Sequence, residues 1–129
     1  MILPKGTYFI GDPCYSIRDN KRWSIFCDKM GEDFDELTEF EGTPIFVHGT
    51  MYGDGVYRGT DGFMYGVDSG LLGVIPTSLI DEKNSRLKEL GTIVKFTEPF
   101  ECTYDDGVFR FKKLSIDTSP DDEYEGHRN

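Results

Sequence analysis

Short apolar runs separated by glycine, proline and aspartate recur along the chain and predict strands. β-branched and aromatic residues fill most of these runs, a composition typical of strands. Asp105-Asp106-Gly107 lies between two of the runs and is a strong hairpin signal, and Thr60-Asp61-Gly62 is a second turn signal. The predicted strands are 7–10, 45–48, 56–57, 63–67, 71–75, 92–97, 100–104, 108–111 and 113–116.

Two segments repeat their apolar residues at helical spacing instead. The first carries its apolar stripe at Trp23, Phe26, Cys27 and Met30, positions i, i+3, i+4 and i+7 of one helix. Asp19 or Asn20 can cap this helix and Gly31 can end it. After Pro76, a second helix is predicted to end at Gly91, with its apolar side at Leu79, Ile80, Leu87 and Leu90.

The strands are mostly sequential and linked by hairpins, whereas the helices fall at two places. This order predicts an α+β fold, a curled or barrel-like antiparallel sheet with two or three helices packed to one side. A length of 129 residues suits one domain with its own core. Residues 1–117 are the predicted globular domain, and 118–129 are predicted to be an acidic, disordered tail.

Acidic residues are concentrated, and they give the chain its net charge of −10. Residues 32–41 hold six acids and no base. Direct binding of nucleic acid is disfavoured, because phosphate attraction needs a basic face. An acidic face suits a basic partner protein, whereas the plainer interpretation is a solvated surface. The residues predicted to bind a partner are Phe34, Asp35, Glu36, Leu37 and Glu39.

The spacing of apolar residues within this acidic segment leaves two interpretations open. Phe34, Leu37 and possible continuation at Phe40 follow helical spacing, which predicts a short helix or an irregular turn. Phe34 and Leu37 can dock a partner, or they can anchor the segment to the protein's own core.

Composition narrows the compartment and the cofactors. The chain has no apolar run of the length a membrane helix needs and no signal peptide pattern at its start, so we expect a cytoplasmic protein. Three cysteines without a CxxC pattern and two histidines predict neither a disulfide framework nor a zinc site. We expect no metal or other cofactor, and the sequence leaves a homo-oligomer open.

Two short motifs carry the candidate chemistry: Gly11-Asp12-Pro13-Cys14-Tyr15 and Gly66-Val67-Asp68-Ser69-Gly70. Each places an acid and a small nucleophilic side chain where glycine or proline bends the backbone. We expect the two bends to meet and to present polar groups beside a shared hollow. The predicted ligand-binding residues are Asp12, Cys14, Tyr15, Asp54, Asp68 and Ser69.

Catalysis is the alternative function for these motifs. A cysteine nucleophile needs a neighbour that lowers its pKa, and a Cys14–His48 dyad oriented by Asp12 or Asp68 is the arrangement available. Ser69 does not complete a G-x-S-x-G elbow, because Val67 stands at the position of the first glycine. The alternative is therefore a small hydrolase or transferase, and the plainer interpretation is a buried thiol, a structural histidine and aspartates that satisfy their own turns.

Residues 3–15, 52–57 and 65–76, taken together, resemble a group of small bacteriophage and prophage proteins that carry GDPCY and GVDSG motifs. Residues 66–70 are also loosely similar to a GVDAG stretch in a bacterial domain. The resemblance transfers no activity to individual residues. It implies an accessory protein made in the host bacterial cytoplasm, acting in host takeover or anti-defence. We expect a binding protein that occupies a host protein or sequesters a small anionic ligand.

Overall fold

Antiparallel strands make up most of the chain in the computed structural model, which describes residues 1–32, 35–81 and 87–119. The helices in these ranges are α1 (Pro13–Ser16), α2 (Asn20–Met30) and α3 (Leu87–Leu90), with a 3-10 helix at Thr77–Leu79. The strands are β1 (Ile2–Leu3), β2 (Gly6–Gly11), β3 (Glu36–Phe40), β4 (Thr43–Gly49), β5 (Gly55–Arg58), β6 (Met64–Val67), β7 (Leu71–Pro76), β8 (Thr92–Phe96), β9 (Phe100–Asp105), β10 (Val108–Phe111) and β11 (Leu114–Asp117).

The strands form three sheets, and each pairing within them is antiparallel. A five-stranded sheet has the order β3-β4-β7-β2-β8, a four-stranded sheet has the order β1-β9-β10-β11, and β5 pairs with β6. The predicted α+β class is confirmed. Within the described ranges none of the three sheets closes into a barrel, so the barrel-like form of the prediction is not adopted.

The five-stranded sheet separates two apolar clusters because alternate residues of a strand point to opposite faces. In β7, Leu72 and Val74 belong to the larger cluster, with β9, β10 and the β5–β6 hairpin. Leu71 and Ile75 of the same strand belong to the smaller cluster, with α2. Gly73 allows β4 to approach β7 closely, since a Cβ there would lie 2.4 Å from the Phe46 carbonyl oxygen.

Local sequence signals correctly predict the first long helix and the main hairpin. The Asp19 carboxylate accepts a hydrogen bond from the Arg22 N–H at 2.9 Å, and α2 ends at Gly31 with φ 77°. Asp106 and Gly107 both have positive φ, 52° and 88°, as the tight turn between β9 and β10 requires. These signals suffice because cap and turn geometry depends on neighbouring residues only.

The acidic segment is wrong as a predicted helix or irregular turn over 36–40, where it forms β3. Phe34 lies outside the described residues. Leu37 pairs with Val47 and Phe40 pairs with Thr43, and the register shifts between Leu37 and Glu39. This irregularity turns both apolar side chains toward the smaller cluster, so a three-residue spacing that suggests a helix is satisfied by a bulged strand.

The helix predicted after Pro76 is interrupted. Ile80 is extended, with φ −80° and ψ 138°, α3 begins at Leu87, and residues 82–86 lie outside the described ranges. The Asp81 carboxylate accepts hydrogen bonds from the N–H groups of Arg18, at 2.5 Å, and Asp19, at 2.8 Å. These bonds hold the chain at 80–81 against the start of α2, and nearest-neighbour propensity cannot reveal such a distant contact.

The folded domain continues beyond residue 117. Thr118, which the sequence assigns to the tail, is fully buried. Its N–H donates to the Gly107 carbonyl oxygen at 2.8 Å, and its own carbonyl oxygen accepts from the Tyr52 N–H at 3.0 Å. Thr118 therefore ties the β9–β10 turn to the loop before β5, while 120–129, the rest of the predicted tail, lie outside the described residues.

Candidate functional site

The two glycine-bounded motifs meet at one end of the five-stranded sheet, as the sequence predicts. β2 ends at Gly11, which pairs with Gly73 of β7, and the second motif is the turn that leads into β7. Asp12 follows Gly11 directly and is the N-cap of α1. It is fully buried, so its carboxylate lies between the two motifs rather than in solvent.

The Asp12 carboxylate binds the second motif through four hydrogen bonds. Oδ1 accepts from the Cys14 N–H at 2.9 Å and from the Ser69 hydroxyl at 2.6 Å. Oδ2 accepts from the N–H groups of Asp68, at 2.7 Å, and Ser69, at 2.8 Å. A carboxylate offers about four acceptor sites, and all are used. Asp12 is thus corrected from a ligand contact to a buried positioning group, and Ser69 donates its hydroxyl proton to it.

The exposed parts of this junction are acidic. Asp68 is exposed, and its Oδ2 accepts a hydrogen bond from the Tyr15 hydroxyl at 2.5 Å. The pKa of Tyr15 is raised, first by burial and then by its bond to Asp68. Asp54 also lies here, since a Cβ built on Gly70 would be 3.7 Å from its Oδ1. The structure therefore places the predicted residues Tyr15, Asp54 and Asp68 around one turn.

Cys14 is half-buried beside this junction, and its surroundings oppose a thiolate. Burial raises the pKa of the Cys14 thiol well above its usual value, and the carboxylates of Asp12 and Asp68 raise it further. Arg18 offsets only part of this shift. Cysteine nucleophiles need a lowered pKa, so the environment of Cys14 suits a structural thiol.

His48 has partners other than the predicted catalytic groups. Its Nδ1 donates to the Gly49 carbonyl oxygen at 2.7 Å, and its Nε2 lies 3.2 Å from Asp35 Oδ1. The ring stacks on Tyr104 with centroids 3.7 Å apart. Among the described residues, no hydrogen bond or ion pair joins His48 to Cys14 or Ser69. The proposed dyad is therefore not assembled in this structure.

The residues predicted to bind a partner fall into two groups. Asp35 and Glu36 are exposed, at the end of β3 where Glu36 pairs with His48. Leu37 packs against the protein's own smaller cluster. Glu39 lies near the opposite end of β3 and accepts a hydrogen bond from the Gly42 N–H at 2.5 Å. Leu37 and Glu39 are therefore corrected to core packing and turn stabilisation.

Sheet register collects exposed acids from separate segments at the end where the motifs meet. Glu36 pairs with His48, His48 pairs with Leu72, and Leu72 neighbours Gly73, the partner of Gly11. Asp106 joins the group, because both Asp106 and Asp35 raise the pKa of Tyr104, whose largest shift comes from burial. We call this surface the acidic end; its members are Asp35, Glu36, Asp54, Asp68 and Asp106, all exposed.

An exposed apolar pair lies beside the acidic end and was not singled out as a binding site by the sequence. Tyr52 is 59% exposed and Met51 is 44% exposed. Their loop is held between the two turns of this end: Thr50 N–H donates to the Gly70 carbonyl oxygen at 2.9 Å, and Met51 N–H donates to Thr118 Oγ1 at 3.1 Å. The available signal was two large apolar residues between glycines 49 and 53.

Comparison with known proteins finds no matching family model, no significantly similar curated protein and no significantly similar solved structure. None of the described helices is long and apolar enough to cross a bilayer. Within the same ranges, no group of three or more histidine, cysteine, aspartate or glutamate side chains could hold a metal ion.

Proposed function

We propose that this protein is a bacteriophage-type accessory protein that binds a basic surface of a host protein in the bacterial cytoplasm. The observation that carries the proposal is the acidic end, where five exposed carboxylates from separate parts of the chain surround one surface. Electrostatic complementarity of this kind steers association and selects partners of opposite charge.

The exposed Tyr52 and Met51 support a protein partner over a small ion. Interface centres are enriched in tyrosine and methionine and are surrounded by polar rims. Tyr52 is anchored through its backbone, because its N–H donates to the Thr118 carbonyl oxygen at 3.0 Å, and its side chain remains exposed. A tyrosine on a fixed loop inside a ring of carboxylates can pack on a basic protein surface at low entropic cost.

The same charges disfavour the other functions considered. Asp54 and Asp68 present negative charge at the motif junction, which opposes a small anion there. Catalysis by the motifs lacks an activated nucleophile, since the pKa of Cys14 is raised and the Ser69 hydroxyl donates to buried Asp12. Binding through the acidic end needs neither a nucleophile nor a base.

The test captures partners from bacterial lysate at low salt on wild-type protein and on two charge variants. The first variant carries Asp35→Asn, Glu36→Gln and Asp54→Asn in the acidic end. The matched control carries Asp28→Asn, Glu98→Gln and Glu101→Gln, which remove the same charge from exposed positions elsewhere. We expect a specific partner to be retained by wild type and control and to bind the first variant about tenfold more weakly.

High salt should release the same partner, because exposed charges are screened over distances near 10 Å at about 0.1 M salt. Recovery of no specific protein, or equal recovery by both variants, would overturn the proposal. Thermal unfolding of the two variants shows whether each retains the wild-type fold.

A further inference from the structure

A cavity of about 390 Å³ opens between the edge strand β8 and the turn that joins β10 to β11. Its floor and walls are apolar, and its rim carries Lys112, Lys113, Thr60 and Asp61. The volume falls in the range of small-molecule sites. The apolar residues that line it are Ile10, Val94, Phe96, Phe111 and Leu114.

The cavity is an opening of the larger apolar cluster, because Ile10, Phe96 and Phe111 belong to that cluster. Val94 and Leu114 pack against it and are only partly buried. β8 is the last strand of its sheet, so the described chain adds no further strand over this side. An apolar ligand group entering here would therefore contact the core directly.

The rim supplies cations with weak or no ion pairs in the described part of the chain. Lys113 makes no salt bridge there, and Lys112 Nζ lies 3.5 Å from Glu98 Oε1, with the two side chains 40% and 69% exposed. An exposed pair at that distance contributes little and is easily exchanged. Both lysines can therefore turn to an anionic group at the rim.

The carboxylate of Asp61 does not cancel this preference, because its oxygens bind within its own hairpin. Oδ1 accepts from the Phe63 N–H at 3.0 Å, and Oδ2 accepts from the Tyr65 hydroxyl at 2.7 Å. Tyr65 is fully buried, so this second bond directs Asp61 toward the core of its hairpin. The lysines are the rim charges that remain available to a ligand.

We propose that this cavity binds a small amphipathic anion, with its apolar body against Val94, Phe96 and Leu114 and its acidic group at Lys112 and Lys113. The ligand class is an aryl or acyl compound that carries one carboxylate, sulfonate or phosphate. The site uses different elements from the acidic end and does not depend on binding of a host protein there.

The test uses 8-anilinonaphthalene-1-sulfonate, an aromatic anion, titrated into the full chain by calorimetry and fluorescence. Saturable binding of one molecule per chain is expected. The double variant Lys112→Gln, Lys113→Gln should bind about tenfold more weakly, as removal of a charge-assisted contact predicts. N-phenyl-1-naphthylamine lacks the sulfonate, so its binding should be the same for wild type and this variant.

A second variant and a control keep the result specific. Val94→Trp should fill the cavity and weaken both probes, and strand position 94 accepts an aromatic residue. Lys29→Gln on α2 removes one charge far from the cavity and should change neither probe. Absence of saturable binding, insensitivity to the lysine and tryptophan variants, or an equal effect of Lys29→Gln would overturn the proposal.

Discussion

Asp12 shows how one buried side chain can unite two distant motifs. Its carboxylate accepts hydrogen bonds from the backbone of both Cys14 and Ser69, which lie on different elements. A buried carboxylate is tolerated where hydrogen bonds replace its hydration. The motif aspartate that looked reactive in the sequence therefore acts as the structural link of the site.

Replacing Asp12 with Asn should destabilise the fold substantially. The amide NH₂ would face N–H or O–H donors that Asp12 now accepts, which leaves buried donors unpaired. We expect the free energy of unfolding in urea to fall by about 2–4 kcal/mol. Asp54→Asn, at an exposed position of the same junction, should change it by less than about 0.5 kcal/mol. Equal effects of the two substitutions would contradict the structural role of Asp12.

Cys14 should react slowly with alkylating reagents. Burial and neighbouring carboxylates raise the pKa of its thiol, and only the thiolate is nucleophilic. At pH 8, modification of Cys14 by iodoacetamide, followed by mass spectrometry of its peptide, should be at least about tenfold slower than that of glutathione. A rate faster than glutathione would restore Cys14 as a candidate nucleophile.

Elements held by local chemistry could be predicted from the sequence, whereas those fixed by distant contacts could not. Helix α2 follows from its own cap and apolar stripe, and the β9–β10 hairpin follows from Asp106-Gly107. β3 was mistaken for a helix or turn because its bulged pairing with β4 cannot be read from 36–40 alone. The sequence predicted that the two motifs meet, but not that Asp12 would be buried in the contact.

The start of α2 is tied to β3 through Arg22, and this contact should make stability depend on pH. Arg22 donates to both oxygens of Glu41, at 2.9 and 2.7 Å. The hydrogen bonds from Arg22 lower the pKa of Glu41. A carboxyl group with a lowered folded-state pKa stabilises the fold above its unfolded value of about 4.3 and loses this contribution as the pH falls through the folded-state value.

Glu41→Gln should therefore lower Tm at pH 6 by roughly 2–5 °C. The difference from wild type should shrink as the pH falls below about 4.3, because the wild-type carboxyl then becomes protonated. Thermal unfolding followed by circular dichroism from pH 6 to pH 3 measures this change. Glu36→Gln, whose carboxyl is exposed, serves as the control, and a constant difference for Glu41→Gln across that range would argue against the Arg22 contact.

At the scale of the whole molecule, the fold divides its surface into regions with different chemistry. One end of the five-stranded sheet gathers exposed carboxylates around Tyr52, while the cavity at β8 carries two lysines over an apolar floor. Neither surface is contiguous in the sequence, since strand register brings together residues from four or more segments. For this reason the sequence predicted the acidic character of the protein but located it only in part.

The most direct test of binding through the acidic end maps which surface a partner covers inside bacteria. The photo-crosslinking residue p-benzoylphenylalanine replaces Tyr52 in one variant and Ile25, 44% exposed on α2, in another. Irradiation should give a discrete protein adduct from position 52, and Asp35→Asn, Glu36→Gln and Asp54→Asn in the same chain should remove it. No adduct from position 52, or an equal adduct from position 25 that survives neutralisation, would contradict the account.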